Sequence, residues 1–181
     1  MKAERRCIKV ISSTISWERS EVVNARKSEP VTEVIGLEIG DSVSFSKTVG
    51  ESDVYLFAGI TGDFSPNHVN EEIMKRTPYK KRIAHGVLSI GFASTTSTLM
   101  IEKAKATAVS AGYDRIRFIK PIFIGDTVTV TYTIVEIDQE RFRTLANIEV
   151  RNQHEELCTV AQHMLKFIPE RDLPTTLLAK G

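Results

Sequence analysis

The segment His85–Ala104, HGVLSIGFASTTSTLMIEKA, has no Asp, Glu, Lys or Arg before Glu102. Twenty residues make about five helical turns at 3.6 residues per turn, and a helix without charge on any face is expected to be buried nearly all round. Its residues are mostly small: Gly91, Ala93, Ser94, Thr95, Thr96 and Ser97. Neighbouring backbone can therefore approach it closely, and the rest of the chain must supply what wraps it.

Downstream, four stretches read as strands: RIRFIKPIFIG (115–125), DTVTVTYTIVEID (126–138), RFRTLANIEVRN (141–152) and LCTVAQHMLKFI (157–168). Val128, Val130, Tyr132 and Ile134 recur at period two, and Phe142, Ala146, Ile148 and Val150 share one face of the next strand. The DQE and NQHEE segments (138–140 and 152–156) read as hairpin connections. Upstream, Val43, Phe45 and Val49 alternate in LEIGDSVSFSKTV (37–49) as in a half-buried strand. ESDVYLFAGITGD (51–63) predicts a short helix capped by Ser52 or Asp53, with Val54, Leu56, Phe57 and Ile60 on its apolar face and Gly62 at its end. Asn70 is a cap for a helix through EEIMKRTPYKK, stopped by Pro78. One helix with an antiparallel meander gives an α+β domain, a curved antiparallel sheet wrapped around a long central helix. Residues 1–36 lack a strong pattern and read as an N-terminal extension, 37–168 as the domain and 169–181 as a C-terminal tail.

At 181 residues with 41% hydrophobic side chains the chain can bury an ordinary core. Twenty-four basic against 23 acidic residues leave no field to hold nucleic acid or an anionic membrane, so a small molecule or a protein is the expected partner. Cys7 and Cys158 are far apart and have no metal-ligand spacing, which suits a reducing compartment. The start MKAERRCIKV lacks the apolar core of a secretory signal, and a cytoplasmic location is expected.

Between the two upstream helices lies GITGDFSPNHVN (59–70), which sets Asp63 and His68 on either side of Pro66. Asp, Ser, Pro and Asn are ordinary turn residues. The position of this loop, just ahead of the charge-free helix, makes it a candidate site. A carboxylate and an imidazole facing one cavity can hold a water and move its protons, and the backbone N–H groups opening the long helix can receive a developing negative charge.

FAGITGDFSPNHVNEEI (57–73), RIAHGVLSIGF (82–92) and RFIKPIFIGDTVTV (117–130) together resemble the MaoC-like branch of the hotdog fold, the family of (R)-specific enoyl-CoA hydratases. The family motif of Asp, any residue, Asn, Pro, an apolar residue and His, followed later by Ala-His-Gly, is matched by Asp63, Pro66, His68 and Ala84-His85-Gly86. Ser65 stands in place of the Asn and Asn67 in place of the apolar residue. The resemblance implies hydration or dehydration of an acyl-CoA thioester in fatty acid metabolism, with Asp63 and His68 as catalytic residues. It further implies Gly86 at the thioester carbonyl, Ser65 and Asn67 in the substrate loop, coenzyme A as part of the substrate and no separate cofactor or metal. It also implies at least a homodimer, formed by pairing exposed sheet edges. Arg76, Lys80, Lys81 and Arg82, beside the motif, are candidates for the phosphates of coenzyme A. Tyr113, Asp114 and Arg115 could border the substrate. His85 reads as structural, hydrogen-bonded near the helix start, and His154 and His163 have no partners at ligand spacing. Two other classes remain. A thioesterase would need a carboxylate on the long helix, which has none between His85 and Ile101. A non-catalytic acyl-binding subunit would have no use for both Asp63 and His68.

Overall fold

Alternating side chains on three consecutive strands build one continuous inner face. On β3 (Thr127–Asp138) Val128, Val130, Tyr132 and Ile134 are fully buried. They stand opposite Val150, Ile148 and Ala146 of β4 (Arg143–Arg151), with Val130 paired to Val150, Tyr132 to Ile148 and Ile134 to Ala146. Ala146 and Ile148 in turn face His163 and Ala161 of β5 (Leu157–Ile168). With β1 (Ser42–Thr48) and β2 (Thr107–Phe118) at the edges, the strand order is β1-β3-β4-β5-β2 and every pairing is antiparallel. The computed structural model describes residues 35–174, so the readings of residues 1–34 and 175–181, with Cys7, lie outside the described residues. Ile35 and Leu37 already belong to the core.

The long helix, α4, spans Gly86–Ala104 and lays Ile90, Ala93, Thr96, Met100 and Ala104 against the inner face. Burying Met100 in full contributes about 1.5–3 kcal/mol. Contrary to the expectation of burial all round, Val87, Gly91, Ser94, Thr95 and Thr98 are exposed. One sheet covers one side of a helix, and the absence of charge here does not mean an apolar surface. Thr96 and Ser97 return their hydroxyls to the carbonyls of Ala93 (2.7 Å) and Ser94 (2.8 Å), so they can be buried without other partners.

The other helices are short. α1 (Glu51–Thr61) is capped by Gly50, not by Ser52 or Asp53; Asp53 sits in its first turn and accepts from the Gly50 N–H at 2.8 Å. It ends at Gly62 in the left-handed region, φ 80°, as expected. Its buried residues are Val54 and Ala58, whereas Leu56 and Ile60, expected on the apolar face, are exposed. The loop around Pro66 closes one helical turn, α2 (Pro66–Val69). Asn70 caps α3 (Glu71–Met74) by accepting from the Ile73 N–H at 3.0 Å, but the helix stops at Met74, four residues before Pro78.

β2 is the largest departure from the sequence reading. It begins at Thr107 and ends at Phe118, and residues 119–125, read as the rest of a strand, form a loop with one isolated bridge between Ile83 and Phe123. Irregular pairing at Ser110/Gly112 and at Asp114/Arg117 breaks the alternation that would have marked its first half. The two hairpins fall where expected, and Asn152 turns the second by accepting from the N–H groups of His154 and Glu156.

Under the sheet His163 is fully buried, with Tyr132 Oη 3.0 Å from Nδ1, Ser110 Oγ 2.7 Å from Nε2 and the Tyr113 ring stacked at 4.2 Å. Tyr113 is thus a packing residue. Burial pushes the His163 imidazole from 6.5 down to about 4. Between those values the unfolded chain holds a proton that the folded chain refuses. The contribution is therefore complete above about pH 6.5 and is lost as pH falls through about 4, in total about 3 kcal/mol. Chemical unfolding from pH 7 to pH 4 should show this fall, and His163→Gln should flatten it.

Candidate active site

The loop after α1 is shaped by its own polar groups. Gly62 turns the chain, the Asp63 N–H reaches Thr61 Oγ1 at 3.3 Å, and Asp63 Oδ1 accepts from the Ser65 N–H at 3.2 Å. That bond leaves Oδ2 on the other side of the carboxylate. Pro66, whose fixed φ suits the first helical position, starts α2 and brings His68 back beside Asp63. The Asp63 side chain is half exposed; His68 and His85 are buried.

Three contacts fix the His68 ring. Its Nδ1 donates to the Ile83 carbonyl at 2.8 Å, so Nε2 carries the lone pair. The Asn67 side-chain amide donates to that nitrogen at 3.1 Å. The His85 ring stacks on it, with centroids 3.7 Å apart and planes at 27°. Asp63 Oδ2 lies 4.0 Å from His68 Nε2 and 3.9 Å from His85 Nε2. Both separations exceed a direct hydrogen bond.

His68, His85 and Asn67 form one wall of a cavity of about 350 Å³, which continues past Gly86 and Phe118 to Thr159 on β5. The start of α4 is tied to that floor through Ser89, whose hydroxyl donates to the Gly86 carbonyl at 2.6 Å and lies 3.0 Å from Thr159 Oγ1. The first N–H groups of a helix have no partner within it, and α4 places those of Gly86 and Val87 at the cavity.

The MaoC like domain family matches residues 20–157 of this chain. The chain belongs to that family. It is 42% identical over 113 residues to an (R)-specific enoyl-CoA hydratase of Rhodospirillum rubrum, covering 60% of this chain and 76% of that one. It is 36% identical over 107 residues to a 3-hydroxybutyryl-CoA dehydratase of Methylorubrum extorquens, covering 59% and 66%. Among solved structures, a monoamine oxidase regulatory protein from Archaeoglobus fulgidus superposes with a TM-score of 0.65 at 31% identity, over 74% of this chain and 92% of that one. The fold of this MaoC-like chain is the expected α+β hotdog fold, five antiparallel strands with one central helix.

The structure brings Asp63, His68, Asn67 and Gly86 together, with Ser65 in the same loop. It disperses the basic run. Arg82 is half-buried and held by Glu51 (2.7 Å) and Glu71 (3.2 Å); the Glu51 carboxylate beside it raises the guanidinium further. Arg76, Lys80 and Lys81 are exposed. Lys81 borders a second cavity that shares Lys120 and Pro121 with the first. Asp114 and Arg115 lie on β2 and line neither cavity. Phe118, Lys120 and Thr159 escaped the sequence reading because only the folding of α4 against β2 and β5 brings them to the loop.

Asp63, His68 and His85 offer donor atoms within 4.8 Å of one another. His85 Nε2 is spent on the Asp63 carbonyl at 2.9 Å and His68 Nε2 faces the Asn67 amide. A cation there would have to displace both bonds, so the trio suits proton chemistry better than ligation.

A Cβ on Gly86 would meet the Phe118 ring at 3.0 Å, and Phe118, half exposed, can yield. Gly86→Ala should therefore push that ring across the cavity mouth. The expected result is a KM for acyl thioester raised about 10-fold, equivalent to about 1.4 kcal/mol of lost binding, with a melting temperature within a few degrees of the parent.

Proposed function

We propose that this protein adds water across the α,β double bond of an enoyl-CoA thioester, and removes it from the 3-hydroxyacyl thioester in reverse, with Asp63 and His68 handling the protons. The observation that carries the reading is the pair itself. A carboxylate oxygen and an imidazole lone pair stand 4.0 Å apart beside a cavity that also receives the N-terminus of a 19-residue helix. The relatives named as hydratase and dehydratase support the same reaction.

In hydration a water held between Asp63 and His68 Nε2 gives a proton to the pair as its oxygen bonds to the β-carbon. The π electrons move toward the thioester carbonyl, whose growing negative charge is met by the Gly86 N–H and the α4 dipole. The α-carbon then takes a proton from the pair, and the carbonyl re-forms. No group beyond this chain and the substrate is needed, so the reading includes no cofactor. Phosphates of coenzyme A would meet Lys80 and Lys81, exposed cations that follow Tyr79 of the cavity lining, rather than the paired Arg82. The first acidic residue of α4 is Glu102, at the end remote from the cavity, which removes support for a thioesterase.

The same proposal takes the protein as a cytoplasmic homodimer of fatty acid metabolism, with residues 1–36 supplying no catalytic groups. β2 is an edge strand with Val109 and Phe118 exposed, which suits pairing with a second copy. Cys158 is a buried free thiol whose pKa burial raises, as suits a reducing compartment. No helix among the described residues is long and apolar enough to cross a membrane.

Loss of ultraviolet absorbance by crotonyl-CoA and longer enoyl-CoAs reports the reaction, and free-thiol release would report hydrolysis instead. Asp63→Asn and His68→Gln should each lower kcat about 100- to 10,000-fold, and the double variant should be little worse than either single one, because the two groups act on the same water. A correctly folded double variant with unchanged turnover would place the chemistry elsewhere.

A further inference from the structure

His85 occupies the N-cap position of α4, where Ser, Thr, Asp or Asn would satisfy the helix N–H groups, and its side chain caps nothing. It points backward, across 22 residues, and donates Nε2–H to the backbone carbonyl of Asp63 at 2.9 Å. Its ring is held between Phe57, with centroids 4.8 Å apart, and His68, at 3.7 Å. Because Nε2 carries the hydrogen, Nδ1 carries a lone pair, and that nitrogen is buried without a hydrogen-bond partner. A buried unpartnered nitrogen works against stability, so the fold alone gives no reason for an imidazole here. An apolar ring would fill the same space.

Asp63 does need an anchor. Its carboxylate is half exposed, it follows a glycine in the left-handed region, and its other hydrogen bonds stay within the loop, to Thr61 and Ser65. The His85 bond is the contact that ties residue 63 to the start of the long helix. Through its ring face the same side chain stacks on His68, whose edge donates to Ile83.

We propose that His85 is a positioning residue that registers Asp63 against His68, its Nε2–H fixing the backbone of Asp63 beside the His68 ring. The inference rests on the assignment of Asp63 and His68 as the reacting pair. His85 itself exchanges no proton with substrate. It sets the 4.0 Å separation across which the pair shares a water, and with it the match between that water and the thioester carbonyl at Gly86.

Two variants separate the hydrogen bond from the packing. His85→Phe keeps the ring and removes both the donor and the unpartnered nitrogen; His85→Gln keeps a donor at the Nε2 position and removes the ring. Positioning predicts that His85→Phe loses about 10- to 100-fold in kcat, as small misplacements do, with KM within about threefold and a melting temperature equal to or above the parent's. His85→Gln should recover kcat to within about fivefold of the parent. The proposal is overturned if His85→Phe keeps its kcat. It is equally overturned if that variant loses its melting transition or if its kcat loss follows a lowered melting temperature, since His85 is then a fold residue, or if His85→Gln is no better than Phe. A parent-like Asp63→Asn variant would instead sink the assignment of the pair, so the two failures are distinguishable.

Discussion

The site hangs on the backbone of one residue, Ile83. Its N–H donates to the Asn67 carbonyl at 3.0 Å and its carbonyl accepts from His68 Nδ1 at 2.8 Å. The next residue, Ala84, donates to the Ile122 carbonyl at 2.8 Å, and Ile83 bridges Phe123. A short extended segment thus clamps the Asp63–His68 loop on one side and the loop entering β3 on the other, and then runs directly into His85 and α4. Because backbone groups make these contacts, most substitutions at position 83 leave them in place. They also decide the tautomer of His68: with Nδ1 donating, the lone pair must lie on Nε2, the nitrogen that faces Asp63 and the cavity.

From that clamp the rest of the site follows. The loop is exposed and made of short polar residues, so left alone it would sample many conformations. The clamp, the N-terminal proline of α2 and the ring stack restrict it, while the Asp63 carboxylate stays open to solvent. The start of α4 is rigid for a different reason: the helix is packed along one face on the sheet and pinned by Ser89 against Thr159, so its first N–H groups hold their direction. A mobile reactant between two fixed walls is what water addition requires, because the nucleophile must enter while the acceptor geometry stays set.

Much of this was legible in the sequence where a single physical rule acts locally. The charge-free run after His85 marked the helix, and period two marked β3 and β4, because the two faces of those strands have contrasting surroundings. Asn70 and Gly62 were legible as caps because their chemistry is local. β2 was not, since an edge strand interrupted by bulges has little alternation to show. The burial of α1 was misread at Leu56 and Ile60 because hydrophobicity says what a residue tolerates, not what covers it. Asp63 and His68 stood out through spacing around a proline. The bond from His85 to Asp63 and the commitment of Arg82 to Glu51 and Glu71 depend on contacts between separate segments, which no local pattern records.

If Asp63 and His68, 4.0 Å apart, pass one water to the substrate, the hydroxyl and the proton must arrive on the same face of the double bond. Hydration of crotonyl-CoA in deuterated water, with the relative configuration at the α- and β-carbons read from the product's proton NMR couplings, tests this directly. The account predicts syn addition, with deuterium and hydroxyl on one face. Anti addition would require a proton donor on the opposite wall and would contradict a single Asp63–His68 pair.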